Sequence, residues 1–588
     1  MTTNEKITAA KNALREGDTA GAEILYQEIL REDSGNLCAL DGLGIVRCQQ
    51  GDTSVGIQYF YDALYLLRKD SAGQTAVSPD TAASDTKKSR SEATILFHIG
   101  LAYCTLGHRK EALNVLTEAA ALAPEEPDLL LHLGQMHFEF EHFAEAIVSF
   151  RSLTCVQPDN ASAWLTLGYI LYQQEQYNEA IEALHTAELL DESSPDICLY
   201  LAESLRKAQR YEESLPYYQK MLQVGNEYPQ AVYGYGQALL SAGNFADGWD
   251  AMEFRFASMS GTWERHCLPN WSPETNRQQR CVLAYSEESI AADLMFASCL
   301  PNLINTVEHC VVECDTALHN LFKRSFPRAE IVPLPAGVVD EQQNTWGIQP
   351  DAQIAFGSMP RYFRRDRYDF PLRKAYLVPD KDKMNRWINR LAETGDAKKV
   401  GILWRGHWTA ENDKQTSLPV DEFRKLIARH FDVCWVNLQN GSAKNALGQR
   451  NGINPRLYSE VFQYDLDEMA AMLAALDLVV TPPGYVADLA GALGVNTYLI
   501  LPAGADWRRT VDICNENKPV SVWYNTVKVY RQKFQESWEE VFRDVEDDLE
   551  NFLVRKRPPE KDLTAMPKTL AFPQQAAERT KPRERSAA

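Results

Sequence analysis

A small group of residues recurs every 34 positions in the first half of this 588-residue chain. Gly100, Gly134 and Gly168 are each followed twelve positions later by alanine and sixteen positions later by a large apolar residue. Pro124 and Pro158 close the first two of these units. A fixed period of this length predicts a solenoid of stacked helix pairs, because one pair alone cannot bury its apolar face.

The order glycine, alanine, large apolar residue and proline at this period is that of the tetratricopeptide repeat (TPR). Weaker copies extend the array, beginning at Ala10 and Gly44 before the clear units and at Ala202 and Gly236 after them. We expect the small residues where the two helices of a unit cross, and the large ones between neighbouring units. Such solenoids hold proteins or peptides on a concave surface, although they also serve as dimer contacts. The first half therefore predicts a protein-binding domain.

The interval between Gly44 and Gly100 is longer than one period. The surplus, residues 70–90, is rich in Ser, Thr, Ala and Asp and predicts a flexible inserted loop. After residue 258 the period ends, and apolar β-rich runs alternate with helical patterns. Such alternation predicts parallel sheets covered by helices.

The expected fold class is therefore α + α/β, with an all-α TPR superhelix followed by two Rossmann-like domains that face each other across a cleft. The expected segments are repeats at 1–70, a flexible insertion at 71–92, repeats at 93–258, a first Rossmann-like domain at 259–380, a linker helix at 381–398, a second Rossmann-like domain at 399–535, a C-terminal helix at 536–554 and a disordered basic tail at 555–588.

Charge and cysteine spacing disfavour several classes of function. The formal net charge of −21 disfavours a nucleic-acid binder, which needs a surplus of Lys and Arg. The twelve cysteines form no CxxC pair, and Cys310 and Cys314 lack the further ligands of a zinc site, so free thiols in a reducing compartment are expected. The sequence shows neither a secretory signal nor a membrane-spanning run. We expect a cytoplasmic protein that binds no metal, nucleic acid or membrane.

Loops that follow predicted strands carry the candidate site, because parallel sheets bind ligands beyond the carboxyl ends of their strands. Arg405 directly follows the strand 400–404, where a guanidinium can clamp a diphosphate, and Lys414 and Ser417 can add donors. An ordinary loop arginine is the equally weighted alternative. Gln439 follows the next strand, where it suits contacts to a base or ribose.

A second candidate element is the turn formed by Pro483, Gly484, Tyr485 and Val486, which opens a helix. The N–H groups and the dipole at a helix N-terminus favour phosphate, although the same turn also occurs as plain packing.

Carboxylates also follow the first strand of the first Rossmann-like half. Glu287 and Asp293 lie there, and a carboxylate in this place can take a proton from an acceptor hydroxyl. The alternative is a solvated helix cap with acids favoured by the dipole. Neither a nucleophilic triad nor a Walker loop is present in the sequence, which favours phosphate-linked group transfer.

Several motifs resemble those of bacterial TPR-linked glycosyltransferases, a family related to the heptosyltransferases and O-GlcNAc transferases. The matching stretches cover most of the chain: GWDAMEFRF at 248–256, YSEESIAADLMFASCLP at 285–301, WRG and SLP within 404–419, LQ at 438–439, DLAGALG at 488–494, DW at 506–507 and VYRQ at 529–532.

The resemblance implies a two-Rossmann GT-B fold with a nucleotide-sugar donor held mainly by its second half, and no further cofactor. It also implies transfer to Ser or Thr of a protein held by the repeats. The branch that the chain resembles modifies flagellin, often with a nonulosonic acid such as pseudaminic acid. The implied donor site comprises Arg405, Lys414, Ser417, Gln439, residues 483–486 and Asp488, and the implied base is Asp293 or Glu287.

The departures from the family pattern favour a second reading. Residues 289–292 (SIAA) replace the family's Gly-x-Gly-Asp, so that its acidic residue falls on Ala292. Thr416 replaces an arginine, and Asp488 stands where many relatives have a histidine. A catalytically impaired transferase acting as a TPR scaffold is therefore the alternative function. A glycolipid acceptor is a third, disfavoured by the long repeat array. The sequence defines neither the donor sugar nor the oligomeric state.

Overall fold

The structure is a computed structural model, and it describes residues 1–72, 81–224, 228–258, 268–274, 280–287, 289–334, 347–370, 372, 374–393, 395–406, 417–439, 447, 456–457, 465–502, 507–509, 512–515, 518–533 and 537–554. The chain divides into two compact units. Unit 1 comprises Met1–Thr275, Gly357–Phe370 and Gly504–Val511, and unit 2 comprises Asn276–Phe356, Pro371–Ala503 and Asp512–Ala588.

Unit 1 is all-helical in its described residues up to 258, which confirms the expected repeats. Successive helices pack as pairs, α1 with α2 through to α13 with α14. The helices are α1 (Thr3–Glu16), α2 (Thr19–Glu32), α3 (Leu37–Gln49), α4 (Thr53–Ala72), α5 (Thr81–Thr105), α6 (Arg109–Leu122), α7 (Pro127–Glu139), α8 (Phe143–Val156), α9 (Ala161–Gln173), α10 (Tyr177–Leu190), α11 (Pro195–Lys207), α12 (Tyr211–Val224), α13 (Pro229–Ser241), α14 (Phe245–Met252) and α15 (Arg255–Ser258).

The repeated glycines lie where the two helices of a pair cross, as the sequence predicts. A Cβ atom on Gly134 would lie 2.8 Å from Cε2 of Phe150, and one on Gly168 would lie 2.5 Å from Cγ of Leu184. The large residue sixteen positions on therefore packs on the glycine of its own pair. At Tyr26 the ring also reaches the next pair, where a Cβ on Gly42 would lie 2.3 Å from it. We expected these large residues to pack between neighbouring pairs, and they also pack within their own pair.

Each pair also turns at a residue with positive φ, which lies between its first and second helix. These residues recur at the repeat period except across the insertion: Gly17, Gly51, Gly107, Glu141, Glu175, Gln209 and Gly243.

The prediction of a flexible loop at 70–90 is wrong for the part of this segment that the structure describes. Helix α4 runs on to Ala72, and α5 already begins at Thr81. Residues 73–80, the middle of the predicted loop, lie outside the described residues. The surplus residues therefore lengthen two helices. A helix already nucleated by packed residues adds each further residue at little cost, and Ala, Lys and Arg are good helix formers.

The motif that ends the last repeat packs against a segment far along the chain. Within unit 1, Trp249 is 1% exposed, and its indole N–H donates to the carbonyl oxygen of Arg364 over 2.9 Å. The buried Arg255 donates to the hydroxyl of Ser358 over 2.8 Å. Residues 357–370, which include the short helix α19 (Pro360–Phe363), thus complete the end of the repeats rather than the first sheet domain.

Unit 2 contains two sheets with parallel strands, which confirms the expected α/β class of the second half. The first sheet has the strand order β3-β2-β1-β4 and is parallel throughout. Its elements are β1 (Cys281–Tyr285), α16 (Ile290–Phe296), α17 (Leu300–Thr306), β2 (His309–Cys314), α18 (His319–Ser325), β3 (Glu330–Pro333) and β4 (Ala352–Ala355).

The second sheet has the order β10-β11-β12-β9-β8-β5-β6-β7, in which β10-β11-β12 pair antiparallel and the other described strands pair parallel. Its elements are α20 (Lys381–Ala392), β5 (Lys399–Ile402), α21 (Val420–Arg429), β6 (Cys434–Asn437), β7 (Arg456–Leu457), α22 (Leu466–Ala475), β8 (Leu478–Thr481), α23 (Tyr485–Ala492), β9 (Thr497–Leu501), β10 (Asp512–Asn515), β11 (Lys518–Ser521), β12 (Val527–Arg531) and α24 (Trp538–Val554). The predicted tail at 555–588 lies outside the described residues.

The strand orders define where each sheet can bind a ligand. In the first sheet the order reverses between β1 and β4, and in the second between β5 and β8. Loops at the carboxyl ends of such neighbouring strands diverge to opposite faces and leave a crevice. The loops after β1, β5, β6 and β8 carry the residues selected from the sequence.

Candidate functional site

The loops after β5 and β8 meet at two glycines. Gly484 has φ of 150°, and a Cβ atom on it would lie 2.9 Å from the carbonyl oxygen of Gly406. Only a residue without a side chain fits this close approach of two backbones. The loop that carries Arg405 and the turn that opens α23 therefore lie side by side, as two halves of one candidate phosphate site.

Gln439 lies on the other side of the Arg405 loop. Its side chain is buried, and its Oε1 accepts hydrogen bonds from the backbone N–H of Trp404 over 3.3 Å and of Arg405 over 3.0 Å. The Oδ1 of Asn437 accepts the backbone N–H of Gln439 over 2.8 Å. The end of β6 thus supports the end of β5 through side chains.

Ser417 is brought next to Arg405 by an isolated antiparallel bridge between their backbones. The neighbouring N–H of Leu418 donates to the carbonyl oxygen of Trp404 over 2.8 Å. Residues 407–416, and with them the predicted donor Lys414, lie outside the described residues. Arg405, Ser417, Gln439 and Gly484 are therefore brought together.

Helix α23 begins directly after the Gly484 turn. The N–H groups of Ala487 and Asp488 donate to the carbonyl oxygen of Gly484 over 3.1 Å and 3.3 Å. The earlier N–H groups, those of Tyr485 and Val486, have no acceptor within the helix, as in any first turn. A helix N-terminus of this kind favours an anion. Burial raises the pKa of Tyr485, so its phenol is neutral at physiological pH.

Asp488 is fully buried within α23. Its Oδ1 accepts a hydrogen bond from the hydroxyl of Tyr524 over 2.9 Å. The ring of Tyr524 also covers Gly491, where a Cβ atom would lie 2.5 Å from Cγ of the ring. Asp488 therefore anchors the helix in the core, and it can act on a donor only through the placement of α23.

The predicted carboxylates lie on and before α16, which packs directly against α23. Asp293 is 2% exposed, and its Oδ2 accepts the hydroxyl of Ser286 over 2.5 Å. Ser289 caps α16 by accepting the N–H of Ala292 over 3.3 Å. Glu287 is half-buried in the loop between β1 and α16. The helices that follow β1 and β8 thus pack against each other within unit 2.

Sequence reasoning missed two supporting residues and one buried acid. Ser286 holds Asp293, Tyr524 holds Asp488, and Glu313 lies buried at the carboxyl end of β2.

Burial and then the charges of Asp293, Asp315 and Glu313 raise the pKa of the Cys314 thiol, which is therefore neutral. An acid inside the apolar run HCVVEC was the signal that could have singled out Glu313. The roles of the site residues toward a nucleotide sugar stay predictions.

The repeats offer a separate candidate surface on their first helices, the odd-numbered helices α1 to α13. First helices of neighbouring pairs contact one another, as α9 does with α11, which places them on the narrower, inner face of the stack. Phe138, Tyr169 and Tyr200, here called the aromatic row, lie half-buried on α7, α9 and α11. Their rings lie 5.8 Å and 4.7 Å apart in turn. Such rings are typical of protein-binding faces.

Two general features concern the part of the chain that the structure describes. No helix in this described part of the chain has both the length and the apolar character needed to cross a membrane. Across the same residues, no three His, Cys, Asp or Glu side chains are grouped so that they could hold a metal ion.

Two solved structures are similar to about a third of this chain. YrrB, described as a TPR protein with an unusual peptide-binding site, is 15% identical with a TM-score of 0.30 over 35% of this chain and 96% of YrrB. MamA is 19% identical with a TM-score of 0.25 over 31% of this chain and 94% of MamA.

Among curated proteins, Protein FlbA of Caulobacter vibrioides is 28% identical over 339 residues, 53% of this chain and 54% of FlbA. The match thus spans about half the length of that relative.

Two family models match the repeats. The model "Anaphase-promoting complex, cyclosome, subunit 3" matches residues 150–221, and "Tetratricopeptide repeat" matches 98–154 and 199–251. Together with the packing of successive helices as pairs, the second match identifies residues 1–258 as TPR-like repeats, and such repeats are a protein-binding scaffold.

Proposed function

We propose that this chain is a protein O-glycosyltransferase that moves a sugar from a nucleotide sugar to Ser or Thr of a protein held by its repeats. The observation that carries the proposal is the meeting of α16 with α23 and of Gly406 with Gly484. The loops after β5 and β8 touch at the switch point of the second sheet, and a switch point is where parallel sheets bind nucleotides. The resemblance of the sequence motifs makes flagellin the candidate acceptor.

The proposed reaction needs no covalent intermediate. The acceptor hydroxyl oxygen attacks the anomeric carbon, while the bond from that carbon to the phosphate oxygen breaks and the phosphate keeps the electron pair. Arg405 and the first N–H groups of α23 stabilise the charge that develops on the phosphate. Glu287 takes the hydroxyl proton, because it is more accessible than Asp293, which is buried and bonded to Ser286.

The intact mass of flagellin tests the proposal in cells that carry the wild-type gene, a deletion, or variants. We expect the deletion to remove a sugar-sized mass that wild type restores and Arg405→Ala does not. Arg386→Ala is the matched control, because Arg386 on α20 is 64% exposed and lies outside the proposed site. Calorimetry of the folded full chain with a panel of nucleotide sugars identifies the donor. If no member of the panel binds, the transferase proposal fails.

A catalytically impaired TPR scaffold is the second candidate. It is favoured by the buried, hydrogen-bonded state of Asp293 and by the loss of the glycines at residues 289–292. In that case Glu287→Gln and Arg405→Ala leave the cellular phenotype intact, whereas substitutions in the aromatic row abolish it. Equal loss of phenotype in both sets of variants excludes the scaffold.

A further inference from the structure

The side chain of Gln439 prolongs the pairing of β5 with β6 beyond the backbone ladder. In the ladder, the N–H of Leu438 donates to the carbonyl oxygen of Ile402 over 2.9 Å. Just beyond β5, the N–H of Leu403 donates to the carbonyl oxygen of Val480 on β8 over 3.0 Å. The N–H groups of Trp404 and Arg405 then both donate to Oε1 of Gln439. A side-chain amide thus takes the place of a strand carbonyl at the point where the chain leaves the sheet toward the candidate phosphate site.

Gln439 is itself held in place. Its side chain is 3% exposed, and its backbone N–H is bonded to Oδ1 of Asn437 over 2.8 Å. On the opposite side of the Arg405 loop, the backbone of Gly406 lies against Gly484. The backbone that carries Arg405 is therefore fixed from two directions, which a phosphate clamp requires, since small displacements of a binding group cost much of its effect.

The hydrogen bonds also limit what Gln439 can offer a ligand. An amide carbonyl oxygen has two lone pairs, and the N–H groups of Trp404 and Arg405 occupy both. The oxygen is thus committed to the backbone and is not available to a base or a ribose.

We infer that Gln439 is a positioning residue that fixes the Arg405 backbone for phosphate binding, rather than a contact to the nucleoside. The inference rests on the proposed function, since it assumes a phosphate-linked donor at the switch point of the second sheet. It differs from the role expected from the sequence, which places Gln439 against the nucleoside.

Calorimetry with inorganic phosphate and pyrophosphate, with CMP, UDP, GDP and CDP, and with the three matching nucleosides tests the inference on the full chain. We expect Gln439→Met, which keeps the length of the side chain and removes the acceptor of both N–H groups, to weaken binding of the phosphate-containing ligands about tenfold, because a displaced Arg405 loses about one hydrogen bond to phosphate. Nucleoside affinity stays unchanged. Equal weakening of nucleoside and diphosphate binding overturns the inference.

A double variant tests whether Gln439 acts through Arg405. We expect Arg405→Ala with Gln439→Met to bind pyrophosphate no more weakly than Arg405→Ala alone, because residues in one network have non-additive effects. Additive losses overturn the inference.

Amide exchange provides the readout that separates positioning from general loss of folding. In Gln439→Met the N–H groups of Trp404 and Arg405 should exchange faster while the remaining strands of the second sheet keep their protection. Gln439→Glu keeps an acceptor oxygen and should keep the slow exchange. Unchanged exchange in the Met variant overturns the inference. If the wild-type chain binds none of the phosphate ligands, the proposed function fails too; if wild type binds and the Met variant binds equally well, only the inference fails.

Discussion

At the residue scale, the repeats place one conformational demand on each turn between paired helices. The backbone there has positive φ, a region that glycine enters freely and other L-residues enter at a cost. Gly107 meets the demand with φ of 76°, whereas Glu141 occupies the equivalent place of the next repeat with φ of 59°. The fold therefore tolerates the strain at some repeats and avoids it at others.

Gly107→Ala should destabilise the third helix pair by about 1 kcal/mol, through backbone strain alone. No atom lies within 4 Å of the position that the new Cβ would take, so a steric clash is not involved. The measurement is amide exchange of α5 and α6 in the full chain. Glu141→Ala is the matched control, because an L-residue already occupies that turn, and its effect should stay within about 0.5 kcal/mol. Equal effects of the two variants would contradict the strain argument.

At the element scale, the end of the repeats depends on a segment that the chain supplies more than a hundred residues later. Trp249 and Arg255 bind residues 357–370, and the ring of Trp249 also lies 5.6 Å from that of Trp507 in the same unit. The motif GWDAMEFRF is thus the docking site for residues 357–370, and the polar groups of Trp249 and Arg255 form hydrogen bonds to that segment.

Trp249→Phe should lower the local opening free energy of residues 357–370 by about 2 kcal/mol. The ring remains apolar, but the buried carbonyl oxygen of Arg364 loses the indole donor. Trp164→Phe is the matched control: Trp164 donates to the carbonyl oxygen of Pro158 over 3.0 Å at an exposed site, where water replaces the lost bond. Amide exchange of the two segments measures both effects. A loss as large at Trp164 would refute the dependence on burial.

The contact between this motif and residues 357–370 should weaken in acid. Partial burial raises the pKa of Asp250, but hydrogen bonds from Arg365 and Arg361 outweigh it and hold the pKa below its usual value. The unfolded-state pKa is about 3.9, so the stabilising contribution is present above that pH and is lost as pH falls through the lower folded-state value. Protection of residues 357–370 against exchange, corrected for the intrinsic rate, should therefore decline below about pH 4. In Asp250→Asn the protection should be lower at neutral pH and lack this decline.

At the scale of the whole molecule, the two units carry separable tasks under the proposed function. Unit 1 presents the aromatic row on the inner face of its repeats, and unit 2 contains the switch-point loops. A change confined to one task should therefore leave the other intact.

Tyr169→Ala should weaken binding of purified flagellin about tenfold, because large aromatic side chains dominate protein interfaces. Donor affinity by calorimetry should not change. Tyr65→Ala is the matched control, since Tyr65 is a 64% exposed tyrosine on α4, a second helix. Circular dichroism checks that both variants fold. A loss of donor affinity in Tyr169→Ala, or an equal loss of flagellin binding in Tyr65→Ala, contradicts this division of tasks.

The sequence by itself determined the elements whose signals are local. The 34-residue period locates the helix pairs and names the crossing glycines, because a repeat needs the same small residue at the same place in each copy. The apolar runs 400–404, 433–438 and 478–481 likewise locate β5, β6 and β8, whose ends lie within two residues of the ends of these runs. The prediction of an inserted loop is wrong because composition describes a free chain, whereas here packed helices on both sides extend into the insertion.

Only the tertiary structure decided which of these ends meet. The order β7-β6-β5-β8-β9 places the loops after β6 and β8 on either side of the loop after β5. Gln439 and Gly484 therefore both contact the loop that carries Arg405. The tertiary structure also buries Asp293 against Ser286 and Asp488 against Tyr524. It packs residues 357–370 with the repeats instead of with the first sheet. Such contacts join residues far apart in the chain, and no local period records them, since the energy that selects them arises only when the strands are already packed.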